Sequence, residues 1–266
     1  MLELAGPWGH SALLDSPALL STELGREIAQ RAQAADIRVA AIRRPGKRPD
    51  QPRWRWALAD ARPGQESLRW GEVDGPEGYA DIPLDGSAGT PSDEPLVAIC
   101  AHGKHDQCCA VRGRKATTLI AEQYREATWE CSHLGGDRFA ATMIVLPHGL
   151  FYGRVDSAED PADIIARYSE GRVEPRFLRG RSSYSAAVQV AQHHARGELG
   201  DDRISAFAPL DVVESDGHVE VTLEGPREPI RVQLRESYSE PIFTMCQART
   251  PGPVKQWELV EVWGGA

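Results

Sequence analysis

The 266-residue sequence contains no apolar run approaching the roughly 18 residues that a membrane-spanning helix needs. Its first residues, MLELAGPWGH, also lack the basic start and apolar core of a secretory leader, so the expectation is a cytoplasmic chain without a membrane anchor. Positive charge is short as well. With 39 acidic against 30 basic side chains and a net charge of −9, no overall field draws the chain to nucleic acid or anionic lipid. The five cysteines include no C-x-x-C pair, which argues against a thioredoxin-type thiol enzyme. GRKATT lacks the glycine spacing and Lys-Ser/Thr order of a phosphate loop, and no dinucleotide fingerprint, internal repeat or recognisable glycosidase pair of carboxylates is present.

What remains is an ordinary globular composition, 41% hydrophobic and 26% charged, in a chain long enough to bury a sizeable core. Four of the five cysteines fall between residues 100 and 131, and that clustering favours a metal or redox site over a disulfide framework.

Periodicity predicts a surface helix over residues 21–36, capped by Ser21 or Thr22, and then a strand at IRVAAIRR. A turn-rich loop follows at 45–52, and RWRWALAD and SLRWGEV alternate as two half-buried strands. Interleaved Arg and Trp in those strands could form a nucleic-acid face, but one wet side of a sheet gives the same alternation. The Gly, Pro, Asp and Ser-rich stretch from Asp74 to Pro95 reads as a linker. Three segments are therefore expected: an N-terminal α+β segment, 1–95; a central module, 96–175; and a C-terminal α+β segment, 176–266, packed with 1–95 or standing alone.

The central module has a legible order. LVAIC is a buried strand ending at Cys100, a His/Cys-rich loop follows, and AVRGRKATTLIAEQY is a helix with Cys109 at its front edge. Strands TMIVLP and LFYGRV come after the loop SHLGGDRFA, and DSAEDPADIIARYSEG is a capped helix with Pro161 in its first turn. This is a thioredoxin-like pattern in an α+β chain. The last segment offers a helix ending at Gly200 and strands at RISAFAPL, HVEVTLEG, IRVQLRES, IFTMCQA and WELVEVW.

The stretch CAHGKHDQCC holds three cysteines and two histidines in ten positions. Cys100 and Cys109 mark the ends of a strand-to-helix loop, where amide donors, the helix dipole and Arg112, Arg114 and Lys115 all favour an anionic sulfur. Cys108 points away from Cys109 if the chain is extended there. A second loop offers Cys131, His133 and Asp137. Cys100, Cys109, Cys131 and His133 together form a chemically sensible metal set, which composition assigns to neither zinc nor iron.

These residues resemble the sucrase/ferredoxin-like family, through CAHGKHDQCCAVRG, WECSHLGGDRFAATMIVLP and HGLFYGRV in that order, with LELAGPWGHSALL and PIFTMC as further likenesses. The resemblance implies a thioredoxin-like ferredoxin module holding one 2Fe-2S cluster. Its first ligand pair maps onto Cys100 and Cys109, and its second pair, four residues apart, onto His133 and Asp137. In the family's pattern both of the latter places are histidine; here position 137 is aspartate. Because thiolate is the more usual cluster ligand, Cys131 is the preferred fourth ligand, Asp137 its rival and Cys108 a weaker candidate. A neutral imidazole in place of a thiolate implies a potential between the roughly −400 mV of plant-type ferredoxins and the roughly −150 to +300 mV of Rieske centres.

The expectation is thus an electron carrier or redox module rather than a stand-alone enzyme, with no catalytic residue assigned. Its electrons come from a redox partner protein or a small reductant, with no nucleic acid and no membrane involved. Two alternatives stand beside it: a thiol-disulfide enzyme using Cys100 with Cys108 or Cys109, and a zinc-stabilised interaction domain.

Overall fold

The computed structural model describes residues 1–47 and 50–265; Arg48 and Pro49, within the expected loop 45–52, and Ala266 lie outside that range. The fold is mixed α+β, and it divides into two compact units: residues 1–149 with 153–161, and residues 150–152 with the chain from Ala162 onward.

In the first unit the elements are β1 (Leu2–Glu3), α1 (Thr22–Ala34), β2 (Ala41–Arg43), β3 (Trp54–Asp60), β4 (Ser67–Val73), β5 (Thr90–Pro91), β6 (Leu96–Cys100), α2 (Gln107–Gln123), β7 (Thr128–Cys131) and β8 (Met143–Leu146). The strands lie in the order β8-β6-β7-β2-β1-β3-β4-β5. Strands β6 and β7 are parallel, joined through α2, and β8 runs antiparallel to β6. All residues of β6, β7 and β8 are buried; β6 and β8 accordingly read as uninterrupted apolar runs, whereas β7 carries Glu130, paired with Arg43 at 2.7 Å.

Strands from both sides of the Asp74–Pro95 stretch share this sheet, since Ile42 of β2 pairs with Cys131 of β7. The stretch itself is anchored: Tyr79 is buried and its hydroxyl donates to the carbonyls of Glu3 (2.8 Å) and Arg55 (3.1 Å), and Ile82 joins the same core as Leu4, Trp8, Ile28 and Trp56. Helix α1 begins as expected, with the Ser21 hydroxyl accepting from the Leu24 amide, and it turns Ile28 and Ala32 inward.

The second unit contains β9 (Leu150–Tyr152), α3 (Asp163–Ser169), β10 (Leu178–Arg181), α4 (Ala186–Leu199) and the strands β11 (Pro209–Ser215), β12 (His218–Leu223), β13 (Ile230–Tyr238) and β14 (Lys255–Gly264). The last four form an antiparallel sheet in chain order, with Val219, Val221, Val232 and Leu234 packed in one core with Val188 and Ala191 of α4. Helix α3 starts after Pro161 with no side-chain cap, so Pro161 precedes the helix instead of sitting in its first turn. RISAFAPL is a turn instead of the expected strand, with Phe207 at positive φ carrying its ring into the core, and β11 starts only at Pro209. IFTMCQA forms no strand either; it makes one isolated bridge, Ile242 to Gly252.

Among the described residues no helix is long and apolar enough to cross a membrane.

Candidate functional site

The site forms where β6 ends and α2 begins. Asp106 caps α2, its carboxylate accepting from the Cys108 amide at 3.2 Å, and the helix starts at Gln107, three residues earlier than the sequence pattern implied. Cys109 therefore sits inside the first turn. Cys100 and Cys109 are both buried, and neither is in a disulfide.

The opposite wall is the loop after β7, and three tethers fix it. Ser132 exchanges bonds with Ala41, its amide donating to the Ala41 carbonyl (2.8 Å) and its hydroxyl accepting from the Ala41 amide (3.0 Å). The Arg38 guanidinium donates to the Leu134 carbonyl. The His133 amide donates to Nδ1 of His102 at 3.3 Å, so that nitrogen carries no proton; Nε2 of His102 is then the protonated one and donates to the Gly9 carbonyl at 2.7 Å. His102 is thus a buried brace between the N-terminal segment and the loop. Next come Gly135 and Gly136, both at positive φ, a pair of left-handed residues that reverses the chain and brings Asp137 back beneath His133.

The ligand atoms of Cys100, Cys109 and His133 all lie within 4.8 Å of one another. Asp137 closes the group: its Oδ1 is 3.6 Å from the Cys109 sulfur and 3.2 Å from Nδ1 of His133. That Nδ1 is buried yet not aligned for a hydrogen bond with any described group, Asp137 included. A second set, His105, His133 and Asp137, also converges within 4.8 Å, with the His105 and His133 rings stacked at 3.8 Å.

Cys131 is in neither set. It pairs in parallel register with Cys100 on the neighbouring strand and is wholly buried, and burial first, then the charge on Cys100, pushes its thiol well above the ordinary range. Cys108 is half-buried, with its sulfur 3.9 Å from the Asp137 carbonyl. Cys246 is exposed in the second unit.

The electrostatics favour one negative sulfur. The neighbouring Cys109 sulfur first, then His133 and the amides of His102 and Leu134, outweigh burial and hold the Cys100 thiol well below the ordinary range. The nearness of Cys100, then burial, pushes Cys109 up. His133 is raised, chiefly by its bond to Cys100, and burial raises Asp137. Two sulfurs, an imidazole with an uncommitted buried nitrogen and a desolvated carboxyl are a donor set that fits a thiophilic metal or an iron–sulfur cluster.

The sequence profile of the sucrase/ferredoxin-like family matches residues 19–180. The chain belongs to this family. The match spans every one of the converging side chains, and the family's description ties the chain to ferredoxin-like redox modules. Among curated proteins and solved structures, none matches the chain.

In this family member sequence reasoning weighs His102 and His105 of the cysteine loop as neighbours of the site, with a polar surface role the commoner reading, and places His10 only beside a turn; it does not foresee that they gather as one lining. His105 stacks on His133, His10 lies 5.0 Å from His105, and Trp8 meets His102 edge-on at 5.5 Å. Trp8, Gly9 and His10 precede the matched region, yet they wall the site. The only signal for them was histidine density: four of the chain's eight histidines, at 10, 102, 105 and 133, gather here.

Proposed function

We propose that the first unit is a ferredoxin-type electron-transfer module that holds one 2Fe-2S cluster through Cys100, Cys109, His133 and Asp137. The observation that carries this reading is the convergence of Cys100, Cys109 and His133 within 4.8 Å at a site walled by buried strand ends. A bound cluster supplies one-electron redox chemistry. The chain's own residues bind and orient it: the amides of His102 and Leu134 donate to the Cys100 sulfur, His102 braces the His133 backbone, and β6 and β7 exclude water from the sulfur side.

Asp137 is the fourth ligand in this proposal, in preference to Cys131, because its carboxylate oxygen approaches both Cys109 and His133 whereas Cys131 joins neither converging set. The mixed thiolate, imidazole and carboxylate set supports a potential above that of an all-thiolate ferredoxin. His133, whose side chain is 23% exposed, is the most solvent-exposed of these four ligands.

The test is anaerobic reconstitution followed by iron and sulfide analysis and EPR of the dithionite-reduced protein, for the parent, Asp137→Asn and Cys131→Ser. The expected result is about two irons and two sulfides per chain, a spectrum altered or lost in Asp137→Asn, and a spectrum retained in Cys131→Ser. One zinc without sulfide would overturn the reading in favour of a zinc-stabilised domain. Metal-free protein that reduces disulfides would do so in favour of a thiol enzyme.

A further inference from the structure

The part of the rim built by α2 and by the loops after β7 and β8 carries a charge opposite to that of the chain as a whole. Within residues 101–118, 133–149 and 153–157 the exposed ionic side chains are Lys104, Arg114, Lys115, Arg138 and Arg154, although acids outnumber bases in the chain by 39 to 30; the exposed carboxylates that border these segments, Asp15 past the Trp8–His10 wall, Glu122 and Glu159, lie outside them. The acids these segments do contain are engaged. Asp106 is the buried cap of α2, Asp137 lies in the site, and Asp156 is held in a bidentate pair by Arg112 at 2.9 Å.

Lys115, Arg138 and Arg154 are linked through the turn that holds Asp156 and through Phe139. Positions 108, 111, 112 and 115 fall on one face of α2, so Val111 and Lys115 flank the half-buried Cys108. Lys115 donates to the Asp156 carbonyl at 3.1 Å, which ties the helix face to the turn that follows Arg154. Arg154 in turn donates from its amide to the Phe139 carbonyl at 2.8 Å, and the guanidinium groups of Arg154 and Arg138 lie 5.6 and 4.6 Å from the Phe139 ring. Phe139 is two residues beyond Asp137. The same segments also present apolar side chains to solvent: Val111 of α2 is 65% exposed, and Phe139 is half-buried.

We infer that this face is the docking surface for an acidic one-electron carrier protein; the partner's redox role rests on the function proposed above. The charge pattern matches such a partner and not the chain itself, whose remaining surface is acidic and repels it, so encounter is steered to the one face behind which Cys109 and Asp137 lie. A basic face with an exposed apolar side chain suits brief complexes, in which long-range attraction sets the on-rate and a modest contact area permits fast release. Guanidinium groups resting on an aromatic ring keep their charge outward and preorganised.

The experiment is calorimetric titration of the full chain with a plant-type ferredoxin as the acidic probe, at about 20 and about 300 mM salt, alongside the Arg138→Glu/Arg154→Glu double variant and Val111→Asp. Binding is expected to weaken about tenfold at the higher salt and by a similar factor in each variant at the lower salt, with melting temperatures unchanged because all three side chains are exposed. Salt-independent binding, or variants that bind as the parent does, would overturn the inference, as would equal affinity for a short DNA duplex, which would mean that charge alone is read. Iron and sulfide analysis of the same samples separates the two claims. A chain that binds ferredoxin as described but takes up no cluster overturns the proposed function alone, and a chain with its cluster and no ferredoxin binding overturns the docking surface alone.

Discussion

Replacing Gly113 by alanine tests how the site is held together. Gly113 lies one helical turn beyond Cys109 on the same face of α2, and a β-carbon built there falls 1.9 Å from the Cys100 carbonyl oxygen and 3.0 Å from its carbon. Real β-carbon contacts do not fall below 3.0 Å, so the helix and the end of β6 must separate by about 1.1 Å. The obstacle is backbone at a buried strand end and cannot rotate aside. Overpacking of this kind costs about 1–3 kcal/mol, and alanine's better helix propensity returns up to about 1 kcal/mol. The net loss of about 0–2 kcal/mol lowers the melting temperature by only a few degrees in a chain of this size. The effect on the site is far larger, because metal–ligand distances tolerate only about 0.2 Å and the substitution drives Cys109 from Cys100 by several times that. With the cluster proposed above, Gly113→Ala is therefore expected to be a folded protein, by circular dichroism and melting, that takes up far less iron and sulfide than the parent under the same reconstitution. A variant with full iron and sulfide content would refute the claim that the approach of α2 to β6 sets the ligand spacing.

Gly197, in contrast, sits in α4 with nothing within 4 Å of the position a β-carbon would take and with no positive φ. Gly197→Ala is expected to stabilise the chain by about 1 kcal/mol through helix propensity alone, read as a small rise in melting temperature with iron content unchanged. Asp156 supplies a pH test. Burial alone raises its carboxyl, but the bonds from Arg112 and from the Ala141 amide, with the Arg112 charge, outweigh burial and hold it below the ordinary range. A group depressed in the folded state contributes stability that is present above its unfolded pKa of about 4 and is lost as pH falls through the folded value. Asp156→Asn should thus cost about 1–3 kcal/mol in denaturant unfolding at neutral pH and progressively less below about pH 4; a cost that did not shrink with acid would show that the ion pair is not its source.

Much of the first unit was legible because burial on both faces leaves a mark in one dimension. LVAIC and MIVL carry no alternation, and each is a wholly buried strand; TWEC, with Glu130 buried against Arg43, carries no such mark. The second unit hid more. PLDVVES is exposed almost throughout, and it is a strand because β12 pairs with it from Asp211 to Ser215 and again at Pro209, a fact of partnership that no local pattern carries. RISAFAPL, with the better strand composition, spends Ala206 and Phe207 on anchoring a turn in the core under α4.

The candidate site divides along the same line. Cys100 and Cys109 announce themselves by residue type at the two ends of a strand-to-helix loop, and chemistry alone ranks Cys131 above Asp137 as a further ligand because thiolate outranks carboxylate for iron. What bears on that choice is geometry with no compositional trace. A parallel register seats Cys131 across from Cys100 on the next strand, and two left-handed glycines fold Asp137 back until one oxygen stands 3.6 Å from the Cys109 sulfur. Glycines 135 and 136 are therefore as much determinants of the donor set as the residues that bear donor atoms. Stiffening either with a β-carbon strains the reversal on which the position of Asp137 depends, while Cys131, fixed by the ladder of β7, does not move.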